Sequence, residues 1–117
     1  MSEGIYDLEL LLDHFPQYRD FVAATFGEEK PLSNFDTTKH PLRNSSTHTR
    51  WLVIHSTGDQ LVDPPQSEAI FHHLSLLYGP QAEHFVLKNF DKLTGSHNGI
   101  LVEDDYVKIV RNFVVDV

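Results

Sequence analysis

The chain has 117 residues, enough for one domain, and its 40% hydrophobic and 11% aromatic content is ordinary for a folded protein. Its formal charge is −8 with nine scattered Lys and Arg, a surface that repels phosphate backbones and anionic membranes, so neither nucleic acid nor membrane is an expected partner. With no cysteine, disulfides, thiolate metal sites and a cysteine nucleophile are excluded, and the composition fits a reducing, cytoplasmic setting. Met1-Ser2-Glu3-Gly4 carries no basic patch or apolar run of the kind that opens a signal peptide.

Asp7 is placed to cap a first helix, with Leu8, Leu11, Leu12 and Phe15 at helical spacing. Pro16 interrupts it, a second set (Tyr18, Phe21, Val22) resumes, and Gly27 ends it. Residues 28–50 contain two prolines, seven Ser or Thr and few apolar anchors. They read as a long loop with one short helical turn.

Trp51-Leu52-Val53-Ile54-His55 is an apolar, β-branched run bounded by polar residues and reads as a buried strand. Asp63-Pro64 starts a helix whose face carries Ala69, Ile70, His73, Leu74 and Leu77 and which ends at Gly79-Pro80. His84-Phe85-Val86-Leu87 is a second strand. A loop from Asp91 to Gly99 precedes a last helix with Val102, Tyr106, Ile109, Val110 and Phe113.

Strand, helix, strand, loop, helix is the grammar of a parallel α/β sheet. Two strands buried on both faces do not make a self-sufficient sheet, so the chain is expected to be an incomplete sheet, part of a larger layered structure.

In an open α/β sheet, functional groups gather just past the carboxyl ends of the strands. The loop after the first strand holds Gly58-Asp59; the loop after the second holds Gly95-Ser96-His97-Asn98-Gly99. An acid followed by a histidine in that chain order matches the last two members of a Ser-His-Asp triad. In that reading Asp59 fixes the tautomer of His97 and stabilises its imidazolium, and His97 Nε2 accepts a proton from a serine. Glu103-Asp104-Asp105 is favourable charge in a helix's first turn. The eight histidines show no i, i+4 helical pair of the kind that binds zinc, and His72 and His73 point to different faces, so no metal is expected.

Gly58-Asp59-x-x-Val62-x-Pro64 with Gly95-x-His97 ahead of the last helix resembles the end of many α/β-hydrolases. The opening Gly4-Ile5-Tyr6-Asp7-Leu8, leading to Phe15-Pro16-Gln17-Tyr18, is similar to a segment of kynurenine formamidases (arylformamidases), fungal ones in particular. The resemblance runs over nearly the whole chain but less than half of that family's length. It implies the C-terminal portion of an α/β-hydrolase fold, hydrolysis of N-formylkynurenine to kynurenine and formate in tryptophan catabolism, no cofactor, and an aromatic formamide or ester as substrate. It further implies Asp59 as triad acid and His97 as general base. Tyr6 is a separate candidate for contact with an aromatic substrate, set against an ordinary packing role, which is the favoured reading.

The family's G-x-S-x-G-type elbow and His-Gly-Gly-type oxyanion loop are found nowhere in this sequence. Ser56 and Ser96 lack an elbow pattern. The chain is therefore expected to be inactive alone and to be a fragment whose nucleophile precedes Met1, in this chain or on a partner. Such a fragment has exposed apolar surface and an unpaired edge on the Trp51–His55 strand. The alternatives are a non-catalytic binding or dimerisation module that reuses half of the fold, associating with itself or with a full-length homologue, and a fragment of a different esterase.

Overall fold

The computed structural model describes residues 1–42 and 48–116, so residues 43–47 of the predicted loop lie outside the described residues. Asp7 caps the first helix, α1 (Leu8–His14), its Oδ1 accepting from Leu10 N–H at 2.9 Å, as its position before the Leu-rich run leads one to expect. Pro16 opens a 3-10 turn (Pro16–Tyr18) that leads into α2 (Arg19–Phe26). Gly27, at φ 75°, ends that helix in a backbone conformation that costs a glycine little. Among the described residues of the following loop are the 3-10 turns Leu32–Phe35 and Thr37–Lys39, more than the one short turn expected.

Strand β1 (Trp51–Ile54) pairs in parallel with β2 (Val86–Asn89), Trp51 opposite Val86 and Ile54 opposite Asn89. The crossover between them is α3 (Pro64–Tyr78), a 3-10 turn (Gly79–Gln81) and the single turn α4 (Ala82–Phe85). His84 and Phe85 therefore close a helical turn, and the second strand begins two residues later than the apolar pattern suggested. Its end is polar because Lys88 points outward, its ammonium 4.7 Å from the Phe71 ring centroid and 5.5 Å from that of Phe90.

The period-2 alternation of β1 divides its side chains between two helical layers. Trp51 and Val53 pack toward α3 with Tyr6, Ile70, Leu74, Tyr78 and Val86. Leu52 and Ile54 pack on the other side with Leu93, Ile100, Tyr106, Ile109 and Val110, the last three from α5 (Asp104–Val115). Both faces of the small sheet are covered, which accounts for the continuous apolar run. Architecture is thus mixed α/β, with a two-stranded parallel sheet between helices.

Two helix faces differ in detail from the sequence reading. On α3 the buried positions are Gln66, Ser67, Ile70, Leu74 and Tyr78, while Leu77 is exposed. The stripe advances by four residues at its end, and Tyr78 takes the place expected for Leu77. Val102 is 86% exposed, in a 3-10 turn (Gly99–Val102) that precedes α5, because the helix starts only at Asp104.

The outer edge of β1 is not bare. Ser2 bridges Ile54 in parallel; Ile54 N–H donates to Met1 O at 2.8 Å and Glu3 N–H to Ile54 O at 3.0 Å. The chain's own first residues act as a stub of a third strand. Gln66 anchors the segment that follows, Oε1 accepting from Tyr6 N–H (2.8 Å) and Asp7 N–H (2.9 Å) while Nε2 donates to Asp7 O (2.7 Å).

Candidate functional site

Both strands deliver their loops to one end of the sheet. After β1, His55 N–H donates to Asn89 O at 2.9 Å, and Thr57 N–H to Leu93 O at 3.0 Å, so the two loops run side by side beyond the strands. Ser56 Oγ donates to Gly95 O at 2.5 Å and accepts from Gly58 N–H at 3.1 Å.

This lacing brings Asp59 and His97 together, as the sequence reading expected. Asp59 Oδ2 lies 2.7 Å from His97 Nδ1. Oδ1 of the same carboxylate accepts from Leu61 N–H (2.9 Å) and Val62 N–H (3.0 Å), a local turn that leaves the group one orientation. The Asp59 side chain is fully buried and that of His97 is 27% exposed. Burial pushes the Asp59 carboxyl up, but the bonds from His97, Val62 and Leu61 outweigh it and hold the group below the usual aspartate value. The carboxylate is charged at neutral pH and accepts from Nδ1–H, which leaves Nε2 of His97 without a hydrogen bond among the described residues.

Neither nearby serine supplies a nucleophile to that position. Ser56 Oγ is spent on Gly95 O and Gly58 N–H, and Ser96 Oγ accepts from Gly99 N–H at 3.2 Å within its own turn. Among the described residues, no hydroxyl hydrogen-bonds to His97 Nε2.

Two residues of the site carry no signal of function in the sequence. His55 is 1% exposed at the end of β1, with Nε2 3.1 Å from Val62 O and Nδ1 2.8 Å from Ser67 Oγ. A carbonyl only accepts, so Nε2 holds the proton and Nδ1 accepts from the hydroxyl. Burial lowers the His55 pKa, which keeps this imidazole neutral. Glu3 is 4% exposed, with Oε1 accepting from Ser56 N–H at 2.9 Å and Oε2 3.7 Å from His97 Nδ1. Burial, and after it the charge of Asp59, push its carboxyl above the ordinary glutamate value.

Glu3, His55 and Asp59 offer ligand-type atoms within 4.8 Å of one another. Most of their ligand-type atoms already hold hydrogen bonds: His55 to Val62 and Ser67, Glu3 Oε1 to Ser56, Asp59 to His97, Leu61 and Val62.

Tyr6 lies away from this cluster. It is 8% exposed, its hydroxyl accepts from Gly4 N–H at 3.2 Å, and its ring packs with Val53, Ile70 and Leu74. Its remaining edge lines a cleft of about 220 Å³ with Ile5, Phe21, Phe26 and Phe35, whose walls include neither Asp59 nor His97.

The fold and the cluster together define an α/β protein with a part-buried acid–histidine pair at the carboxyl ends of adjacent parallel strands. Compared with protein-family models, curated proteins and solved structures, the chain has no match. No helix among the described residues is long and apolar enough to cross a membrane.

Proposed function

We propose that this chain is the acid–base half of a Ser-His-Asp-type α/β-hydrolase site, of the kind that kynurenine formamidases use on aromatic formamides. The observation that carries the reading is the 2.7 Å bond between Asp59 Oδ2 and His97 Nδ1, made by loops that follow adjacent parallel strands. In this reading His97 Nε2 takes the proton of a serine hydroxyl supplied from beyond these 117 residues, in the same chain or on a partner, and passes it to the leaving amine. Asp59 holds the ring and stabilises its cation. Tyr6 contributes through the apolar cleft beside α1 and α2, the stretch that carries the family resemblance.

Two experiments test it. With an activated aryl ester, whose hydrolysis imidazole assists without a serine, the chain alone should show a slow rate that falls on His97→Ala and on Asp59→Ala. For the substrate class, the chain is combined with an N-terminal half of an arylformamidase that carries the serine elbow, and assayed on an N-formyl anilide. Hydrolysis that requires both His97 and Asp59 supports the reading; an assembled complex whose rate ignores both overturns it.

A second reading, an association module, is favoured by one surface. Met1, Trp51, Leu52, Tyr106, Val110 and Phe113 line an open cleft of about 400 Å³ along the outer edge of β1. Sedimentation separates the two readings, because an association module forms a defined assembly with no role for His97.

A further inference from the structure

Glu3 has a backbone conformation that L-residues rarely adopt. It is the one non-glycine residue with positive φ, at 50°, among the described residues. An L-residue there costs of order 1 kcal/mol or more, and persists where the surroundings hold it in place. Here the surroundings are Glu3 N–H on Ile54 O and the Glu3 carboxyl on Ser56 N–H, which together turn a buried acid toward the dyad.

We propose that Glu3 is a second acid of the Asp59–His97 pair, a positioning residue that stands beside Asp59 at His97 Nδ1 and helps to stabilise the imidazolium. This rests on the acid–base reading above. Glu3 Oε2 stands 3.7 Å from Nδ1 and Asp59 Oδ2 stands 2.7 Å from it, so a charged ring is faced by two carboxyls on one side. The two acids are not equivalent. Asp59 accepts three hydrogen bonds and keeps the negative charge; Glu3 accepts one, from Ser56. Neighbouring buried carboxylates resist ionising together, so Glu3 is the member that protonates first as the pH falls. A cation on His97 relieves that repulsion, which ties the charge of Glu3 to the charge of the ring.

The titratable groups around Glu3 are few. Asp59 faces it from the β1–α3 loop, His97 from the loop after β2, and His55 from the end of β1. From α5, Tyr106 reaches only the neighbouring Ser2, hydroxyl to hydroxyl at 3.0 Å. A purely structural Glu3, present to accept from Ser56 N–H, would leave the His97-dependent rate unchanged in Glu3→Gln.

The test follows the carboxyl carbon of Glu3 by NMR across pH in the intact chain, with the His97 Nδ1–H proton observed in parallel. In the wild type Glu3 should titrate above the ordinary glutamate range. Asp59→Asn should bring it down, and His97→Gln should push it further up, each by about half a unit to one unit, a three- to tenfold change in protonation constant. Glu3→Gln, which keeps an acceptor for Ser56 N–H, should lower His97-dependent aryl-ester hydrolysis three- to tenfold, with KM unchanged.

A Glu3 titration that does not respond to His97→Gln, while the Nδ1–H proton shows its bond to Asp59, overturns the role of Glu3 alone. Absence of that bonded proton in the wild type overturns the acid–base reading and this proposal with it. Because the titration is read in wild type and in changes at Asp59 and His97, the outcome does not depend on Glu3→Gln folding.

Discussion

Gly58 packs directly against the backbone carbonyl of Thr94: a Cβ at Gly58 would sit 2.1 Å from that oxygen and 2.8 Å from the carbonyl of Gly95. The loop that carries Asp59 and the loop that carries His97 thus touch backbone to backbone, and glycine is the residue that permits it. Gly58→Ala should force them apart and lengthen the Asp59–His97 bond. The expected cost is about 1–3 kcal/mol of stability, typical of an overpacked site. Denaturant unfolding measures the loss. The NMR signal of the His97 Nδ1–H proton reports the broken bond; its survival in Gly58→Ala would contradict the close approach.

Stability against pH should show opposing carboxyl contributions. Asp59 has a depressed folded pKa, so between its folded and unfolded values the unfolded state binds more protons. Its contribution is complete above the unfolded value near 3.8 and is lost as pH falls through the folded one. Glu3 is raised, so its burial costs stability as pH rises from near 4.5 through its folded pKa. His55 is depressed and buried neutral, so acid favours the unfolded chain from about pH 6.5 downward. Asp59→Asn should therefore flatten the acid limb of a thermal-stability profile, while Glu3→Gln should raise stability mainly above pH 4.5.

Gln66 should matter more than an ordinary polar helix residue. Its amide takes two backbone N–H groups and returns one bond to Asp7 O, in a position with no exposure. Gln66→Leu leaves the buried N–H of Tyr6 without a partner, at about 1–3 kcal/mol per orphaned group. Hydrogen exchange should speed up at Tyr6 and Asp7 first. Unchanged protection there would mean that the segment is held by packing alone.

The apolar cleft beside β1 should drive self-association. Leu52 and Val110 line it with Met1, Trp51 and Phe113, and Val114 at its rim is 64% exposed. Val110→Lys places a charge in that surface and should shift sedimentation toward monomer. If wild type and Val110→Lys sediment alike as monomers, the cleft is not an association surface.

The Tyr78 hydroxyl accepts from Trp51 Nε1 at 3.0 Å and donates to Thr49 O at 2.7 Å, tying α3 to the start of β1. Tyr78→Phe removes both bonds while keeping the ring, and about 1–3 kcal/mol should be lost in denaturant melts. A loss near zero would mean that water replaces the hydroxyl.

Local sequence was sufficient for whatever depends on neighbours a few residues apart. Asp7 before a Leu run, Pro16, Gly27 and Asp63-Pro64 fixed the helix boundaries, since caps and breakers act within a turn. The β-branched run of β1 specified a strand buried on both faces. Asp59 and His97 were legible as a pair because chain order and loop position are properties of sequence. Tertiary structure alone decided the rest. Residues 84–85 became a helical turn because the crossover reaches the sheet only at Val86. Met1–Glu3 took the edge of β1, where an unpaired edge was expected, through backbone bonds to Ile54 that no side-chain pattern announces. Glu3 entered the dyad from 56 and 94 positions away (59 − 3 and 97 − 3). Burial and charge at that distance are set by the assembled sheet, where two loops and the first residues meet, and not by any residue's neighbours in the chain.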